Sequence, residues 1–140
     1  MQTIKVVCDT NVISNYLSEK GKPEIKQEVL RIGFEHIAIT SVVYMELIRW
    51  LSVYKGLTLQ QRKAYKDAFN SLKILHLNKE ISIRAMENAV KADSVDAADI
   101  LIATTAMYYD LPLFTDNTKH FKQIKGVKLH TAKNKITFLS

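Results

Sequence analysis

The sequence predicts an α/β fold, a three-layer α/β/α sandwich around a mainly parallel sheet of four to five strands. Three observations carry this. Short apolar or β-branched runs recur along the chain, and the stretches between them have helical length and period. Such alternation is the pattern of strands joined by crossover helices. The first run, "VVCDTNVISNYL" (residues 6–17), passes from buried-strand character directly into a carboxylate, Asp9.

Residues 4–8 (IKVVC) read as the first strand, rich in β-branched side chains. A helix from about Asn11 to Glu19 follows and is stopped by Lys20-Gly21-Lys22-Pro23. Pro23 suits the first turn of a second helix running to about Glu35, with Ile25, Val29, Leu30 and Ile32 inward. "IAIT" (37–40) reads as the second strand, and Ser41 as the N-cap of a helix over Val42–Tyr54 that Gly56 closes. Thr58 opens another helix, to about Leu72, and "ILHL" (74–77) is the third strand. Helices over about Lys79–Ala92 and from Asp96 or Ala97 to Tyr109 lead to "PLFT" (112–115) and then "VKLHT" (127–131) as fourth and fifth strands. With two prolines, four glycines and no internal repeat there is no evident linker, so residues 1–140 are expected to form a single domain.

A hydrophobic fraction of 47% beside 24% charged residues places the chain among folded proteins, away from disorder. Twenty Lys and Arg against 14 Asp and Glu leave a net charge of +6, compatible with a polyanionic partner and equally with plain solubility. The basic tail (Lys122, Lys125, Lys128, Lys133, Lys135) reads first as solvated surface and second as an RNA-binding strip. The single cysteine, Cys8, cannot form an intrachain disulfide and reads as a buried, inert thiol. No apolar run reaches signal-peptide or membrane-span length, so a cytoplasmic, membrane-free setting is expected.

In a parallel sheet, ligands bind beyond the carboxyl ends of the strands. Asp9, Glu46, Asp99 and the Asp116-Asn117 pair all fall at positions that reach that edge. Each has an ordinary explanation as helix cap, solvated helix residue, dipole partner or turn. The helix that Asp99 opens strains this account. Ile100, Leu101, Ile102, Ala103, Ala106 and Met107 make it apolar nearly all round, so it should be buried with an acid at its leading end. Several carboxylates crowded there repel one another unless a cation lies among them. The available ligands are hard oxygens, which suit Mg²⁺ or Mn²⁺. The four histidines have no zinc-type spacing, and the chain lacks a P-loop, a GxGxxG turn and a G-x-S-x-G elbow.

"VVCDTNVISNYL", "ITSVVYMELIRW" and "DAADILIATTAMYYDLPLFTDNTKHF" together resemble the successive motifs of PIN-domain ribonucleases, especially the VapC-like toxins of type II toxin–antitoxin systems. The resemblance runs in order from residue 4 to 121. It implies an Mg²⁺-dependent endoribonuclease, with Mn²⁺ a possible substitute. The acidic core would be Asp9, Glu46 and Asp99, with Asp116 as a further metal ligand or Asn117 as a neutral site residue. Asp116 occupies a place where the family often carries a basic or other polar residue. Asn11, Ser41 and Thr115 would support the site, while Thr10 and Asp96 are weaker candidates that read rather as a turn residue and a helix cap. The resemblance also implies a homodimer, an RNA substrate and a small antitoxin partner. Two alternatives stay open: a non-catalytic RNA-binding module of the same fold, and a phosphoryl-transfer domain of haloacid-dehalogenase type. The second is disfavoured by Asn11, where that pattern wants a second Asp.

Overall fold

The computed structural model describes residues 3–132. The chain runs β1 (Val6–Cys8), α1 (Thr10–Leu17), α2 (Pro23–Ile32), a 3₁₀ turn (Phe34–His36), β2 (Ile37–Thr40), α3 (Ser41–Val53) and α4 (Leu59–Ser71). It continues through β3 (Lys73–Leu75), α5 (Lys79–Lys91), α6 (Ala97–Tyr108), β4 (Leu113–Phe114), α7 (Thr118–Phe121) and β5 (Leu129–His130). The five strands form one sheet in the order β3-β2-β1-β4-β5. Every pairing is parallel, with Val7 opposite both Ala38 and Leu113. The expected α/β architecture therefore stands, with the upper strand number.

Parallel strands joined by helices must be apolar on both faces, and β1 and β2 are buried at every residue. Val7, Cys8, Ala38 and Ile39 are fully enclosed, beneath Ile13, Leu47, Ile102 and Phe114. Burial pushes the Cys8 thiol far above its ordinary range, which leaves it an inert core residue.

Local boundaries differ from the sequence reading in instructive places. Thr40, not Ser41, caps α3, its Oγ1 accepting from Val43 N at 3.1 Å. Helix α2 stops at Ile32 rather than near Glu35, because Gly33 takes φ +95°, a conformation that favours glycine. Leu30, expected inward, is 67% exposed, and Glu28 turns in beside Ile25, Val29 and Ile32. Helix α4 begins with a reciprocal capping box between Thr58 and Gln61. The short helix α7 and the 3₁₀ turn have no counterpart in the sequence reading. Lys122, Lys125 and Lys128 of the basic tail are exposed, and Lys128 pairs with Asp110 at 2.9 Å. Lys133 and Lys135 lie outside the described residues. Among the described residues no helix is long and apolar enough to cross a membrane.

Gly21 closes the turn between α1 and α2 against the α1 backbone. A Cβ there would lie 1.7 Å from the Asn15 carbonyl oxygen, a rigid backbone atom. Gly21→Ala is expected to destabilise the protein by about 1–3 kcal/mol, the usual range for overpacking. Chemical denaturation measures it, and an unchanged midpoint would contradict this close approach.

Candidate active site at the carboxyl edge of the sheet

The strand order places the topological switch between β1 and β4: connections proceed outward from β1 through β2 to β3, then cross back to β4. A crevice at such a point receives the loops that leave both strands. Asp9 and Thr115 are those first residues. They are joined across the switch, Thr115 Oγ1 donating to Asp9 Oδ2 at 3.0 Å. Asp9 Oδ1 accepts from Thr10 N at 2.7 Å, and its backbone carbonyl accepts from Val12 and Ile13. Asp9 is thus the N-cap of α1 as well as a candidate site residue.

Only 6% of Asp9 is exposed. Burial pushes its carboxyl up from 3.8 to about 6, helped by the charges of Asp99 and Glu46 and opposed by the bonds from Thr115 and Thr10. Asp99, on the first turn of α6, is also raised, first by burial, then by Asp96 and Glu46, with His120 acting in the other direction. His120 Nδ1 stands 3.6 Å from Asp99 Oδ2. Glu46, on α3, accepts a 2.6 Å bond from Thr10 Oγ1. The three acids of β1, α3 and α6 therefore act on one another electrostatically, and each is steadied by a neighbour.

The fourth position is divided. Asp116 is exposed and forms an ion pair with Lys22 from the α1–α2 turn. Asn117 faces the site instead: its backbone N donates to Thr115 Oγ1 at 3.0 Å, and its side-chain amide lies 3.1 Å from His120 Nδ1. Asn11 is exposed on α1, where its carbonyl accepts from Ser14 and Asn15. Ser41 opens α3, and among the described residues no hydrogen bond ties it to the acids. Asp96 is the N-cap position of α6 without a capping side-chain bond. A cleft of about 160 Å³ lies beside Asp99, lined also by Asp96, Lys119 and His120.

As a metal centre the donor set is chemically suitable, being carboxylate and amide oxygens, with the Asp9 and Asp99 carboxyls both raised. Among the described residues, however, no three His, Cys, Asp or Glu side chains converge closely enough to form a ready cluster. The expected set of Asp9, Glu46, Asp99 and Asp116 is thus not drawn together as a closed cage. Each acid is held by a partner of its own, Asp9 by Thr115, Glu46 by Thr10, Asp99 by His120 and Asp116 by Lys22.

His120 and Lys22 were not among the sequence candidates, and Thr10 was only a weaker one, read as a turn residue. Thr10 bridges to Glu46 across 36 positions and Lys22 to Asp116 across 94, so only folding reveals them. For His120 a signal existed, three residues past Asn117 on the same turn. Thr10→Val is expected to lower any metal-dependent activity about 10–100-fold, as loss of a ligand's supporting bond does, with little change in thermal stability. Equal activity would remove Thr10 from the site.

The PIN-domain family model matches residues 6–127. The chain belongs to the PIN-domain family. The phosphoryl-transfer alternative falls away with that membership. This PIN domain is 29% identical over 134 residues to "Ribonuclease VapC1" of Methanocaldococcus jannaschii, spanning 90% of this chain and 87% of that protein. It is 28% identical over 131 residues to the "tRNA(fMet)-specific endonuclease VapC" of Salmonella typhimurium, spanning 90% and 96%. Among solved structures it is similar to a "toxin-antitoxin complex from Klebsiella pneumoniae", with 26% identity, a TM-score of 0.71, and coverage of 88% of this chain and 95% of that one.

Proposed function

We propose that this PIN domain is a VapC-like endoribonuclease that uses Mg²⁺, with Mn²⁺ as a possible substitute, and serves as the toxin of a toxin–antitoxin pair. The observation that carries it is the buried Asp9 at the switch point, within electrostatic reach of Asp99 and Glu46. Family membership and the ribonuclease names of its relatives support the reaction class. A partner of antitoxin type is supported by the likeness to a solved toxin–antitoxin complex. A homodimer is part of the same proposal.

Asp9, Glu46 and Asp99 would hold the metal, and Mg²⁺ when bound supplies an activated water and charge neutralisation at the phosphate. The other roles belong to the chain. Thr115 and the α1 N-terminus orient the Asp9 carboxylate. Thr10 fixes the Glu46 rotamer. His120 stands beside Asp99, where a protonated imidazole offsets its charge. Asn117, linked to Asp9 through Thr115, is the fourth site residue in this reading. Lys22 neutralises Asp116 and so keeps a further negative charge from the approaching phosphates. Exposed Lys119 and Lys122 give RNA attraction that weakens with salt.

The test is cleavage of structured RNA by wild type and Asp99→Asn, each with Mg²⁺ or EDTA. Cleavage is expected with wild type and Mg²⁺ alone. Equal cleavage in EDTA, or by the variant, removes the site assignment. Binding without cleavage in either Mg²⁺ or Mn²⁺ favours the non-catalytic module.

A further inference from the structure

A second concavity lies along α1 and α3, one helical turn beyond Thr10 and Glu46. It is a cavity of about 440 Å³, walled by the α1–α2 turn, the end of α3, and α4. Three rings line it: Trp50, Tyr54 and Tyr65. The Trp50 and Tyr65 centroids lie 6.0 Å apart at 27°, and Trp50 and Tyr54 lie 5.2 Å apart at 31°. Tyr65 is anchored by its hydroxyl, which donates to the Leu17 carbonyl at 2.9 Å. Tyr54 is the most open of the three, 44% exposed. Its ring folds over Gly56, where a Cβ would lie 2.9 Å from Tyr54 Cε1.

We propose that this cavity is a subsite for an unpaired nucleobase of the RNA, next to the phosphate to be cleaved. The proposal rests on the ribonuclease reading above. Its position is the first argument. Thr10 and Glu46 meet at 2.6 Å in the acidic site. Ser14 and Trp50 line the cavity four residues further along the same two helices, on the same faces and about 6 Å away at 1.5 Å rise per residue. The rings therefore begin one helical turn beyond the Thr10–Glu46 contact.

The lining is the second argument. An aliphatic cavity would suit a peptide side chain. Here the rings are accompanied by Ser18, Glu19, Lys20 and Gln61. Gln61 Oε1 accepts from Thr58 N at 2.9 Å, which leaves its amide N–H groups to donate. Lys20 donates, and Glu19 accepts from an exocyclic amine. Unpaired bases are held in this way, by an aromatic face plus donors and acceptors for the edge. The volume falls in the range of small-ligand sites.

Trp50 is the chain's single tryptophan, so its fluorescence reports this cavity directly. The experiment titrates Asp99→Asn protein, which should not cleave, with single-stranded oligo(A), oligo(C) and oligo(U). Saturable quenching is expected. It should weaken about tenfold or more on adding Tyr54→Ala, the scale of one lost base stack, and return with Tyr54→Phe. In the cleaving protein, Tyr54→Ala should raise KM about tenfold and leave kcat nearly unchanged. Circular dichroism melts confirm that the variants fold.

An unresponsive Trp50, or quenching that folded Tyr54→Ala leaves intact, overturns the subsite, whatever else fills the cavity, a partner's peptide included. RNA cleavage by wild type with an unresponsive Trp50 removes the subsite alone. Saturable quenching, Tyr54-dependent, in a protein that cleaves nothing supports the subsite and removes the nuclease reading.

Discussion

Asp9→Asn is expected to reduce Mg²⁺-supported RNA cleavage by at least about a hundredfold, and to stabilise the metal-free fold above pH 6. The first effect follows because loss of a ligand exceeds the 10–100-fold typical of losing a ligand's support. The second follows from linkage. In the metal-free fold burial raises the Asp9 carboxyl from 3.8 to about 6. Between those values the folded protein still holds a proton that the unfolded chain has released. Stability therefore falls as pH rises through that window, and the full deficit is present above it. Two pH units correspond to about 3 kcal/mol at most. Asparagine cannot ionise and escapes this term. Urea unfolding in EDTA at pH 5 and pH 8 measures it: the variant should gain on wild type at pH 8. Adding Mg²⁺ should then raise the wild-type midpoint and leave the variant's nearly unmoved. A variant less stable than wild type at pH 8 would contradict the raised Asp9 carboxyl, since asparagine caps a helix as well as aspartate does.

The second large effect lies at Glu28, where α2 meets β5. Glu28 is 2% exposed on α2. Arg31 Nε and Nη2 donate to its two oxygens at 2.7 and 2.6 Å, and His130 Nε2 on β5 lies 2.6 Å from Oε2. The His130 ring packs edge-on against Phe114 at 5.0 Å. This clamp ties a helix to the last strand of the sheet. The Arg31 bond above all, with His130 adding to it, outweighs burial and holds the Glu28 carboxyl down at about 2. A depressed carboxyl contributes stability that is present above its unfolded value near 4.5 and lost as pH falls toward 2. Glu28→Ala is expected to cost about 2–3 kcal/mol at pH 7, from the lost clamp and the emptied space. The difference from wild type should shrink below pH 3. A loss that is the same at both pH values would assign Glu28 to packing alone.

These two acids show how unevenly the fold and site could be read from the chain. The strands β1 and β2 and the helices α3 to α6 were legible because their apolar runs must be buried against the sheet, and Thr58 marks a helix start through local hydrogen bonding. Even there, local signals misled by a residue: Thr40 and Ser41 are both good caps, and only the end of β2 decides between them. Leu30 and Glu28 exchanged places for a different reason. A helical pattern places the apolar residue inward, but Arg31 and His130 offer the carboxylate a satisfied buried position, and His130 arrives from 102 residues away.

By itself the sequence determined the alternating α/β architecture, the ordered PIN-like motifs, and the candidates Asp9, Glu46 and Asp99 at strand or helix ends. Those follow from side-chain period and residue chemistry, which are local. The tertiary structure decided the rest. It set β1 beside β4, so that Thr115 grips Asp9 across the switch point. It gave Asp116 to Lys22 and turned Asn117 toward the site, and it opened the aromatic cavity one helical turn from the acids. Each of these joins residues far apart in the chain, and such pairings are chosen by packing, hydrogen bonding and the attraction of opposite charges across the fold, none of which a linear pattern records.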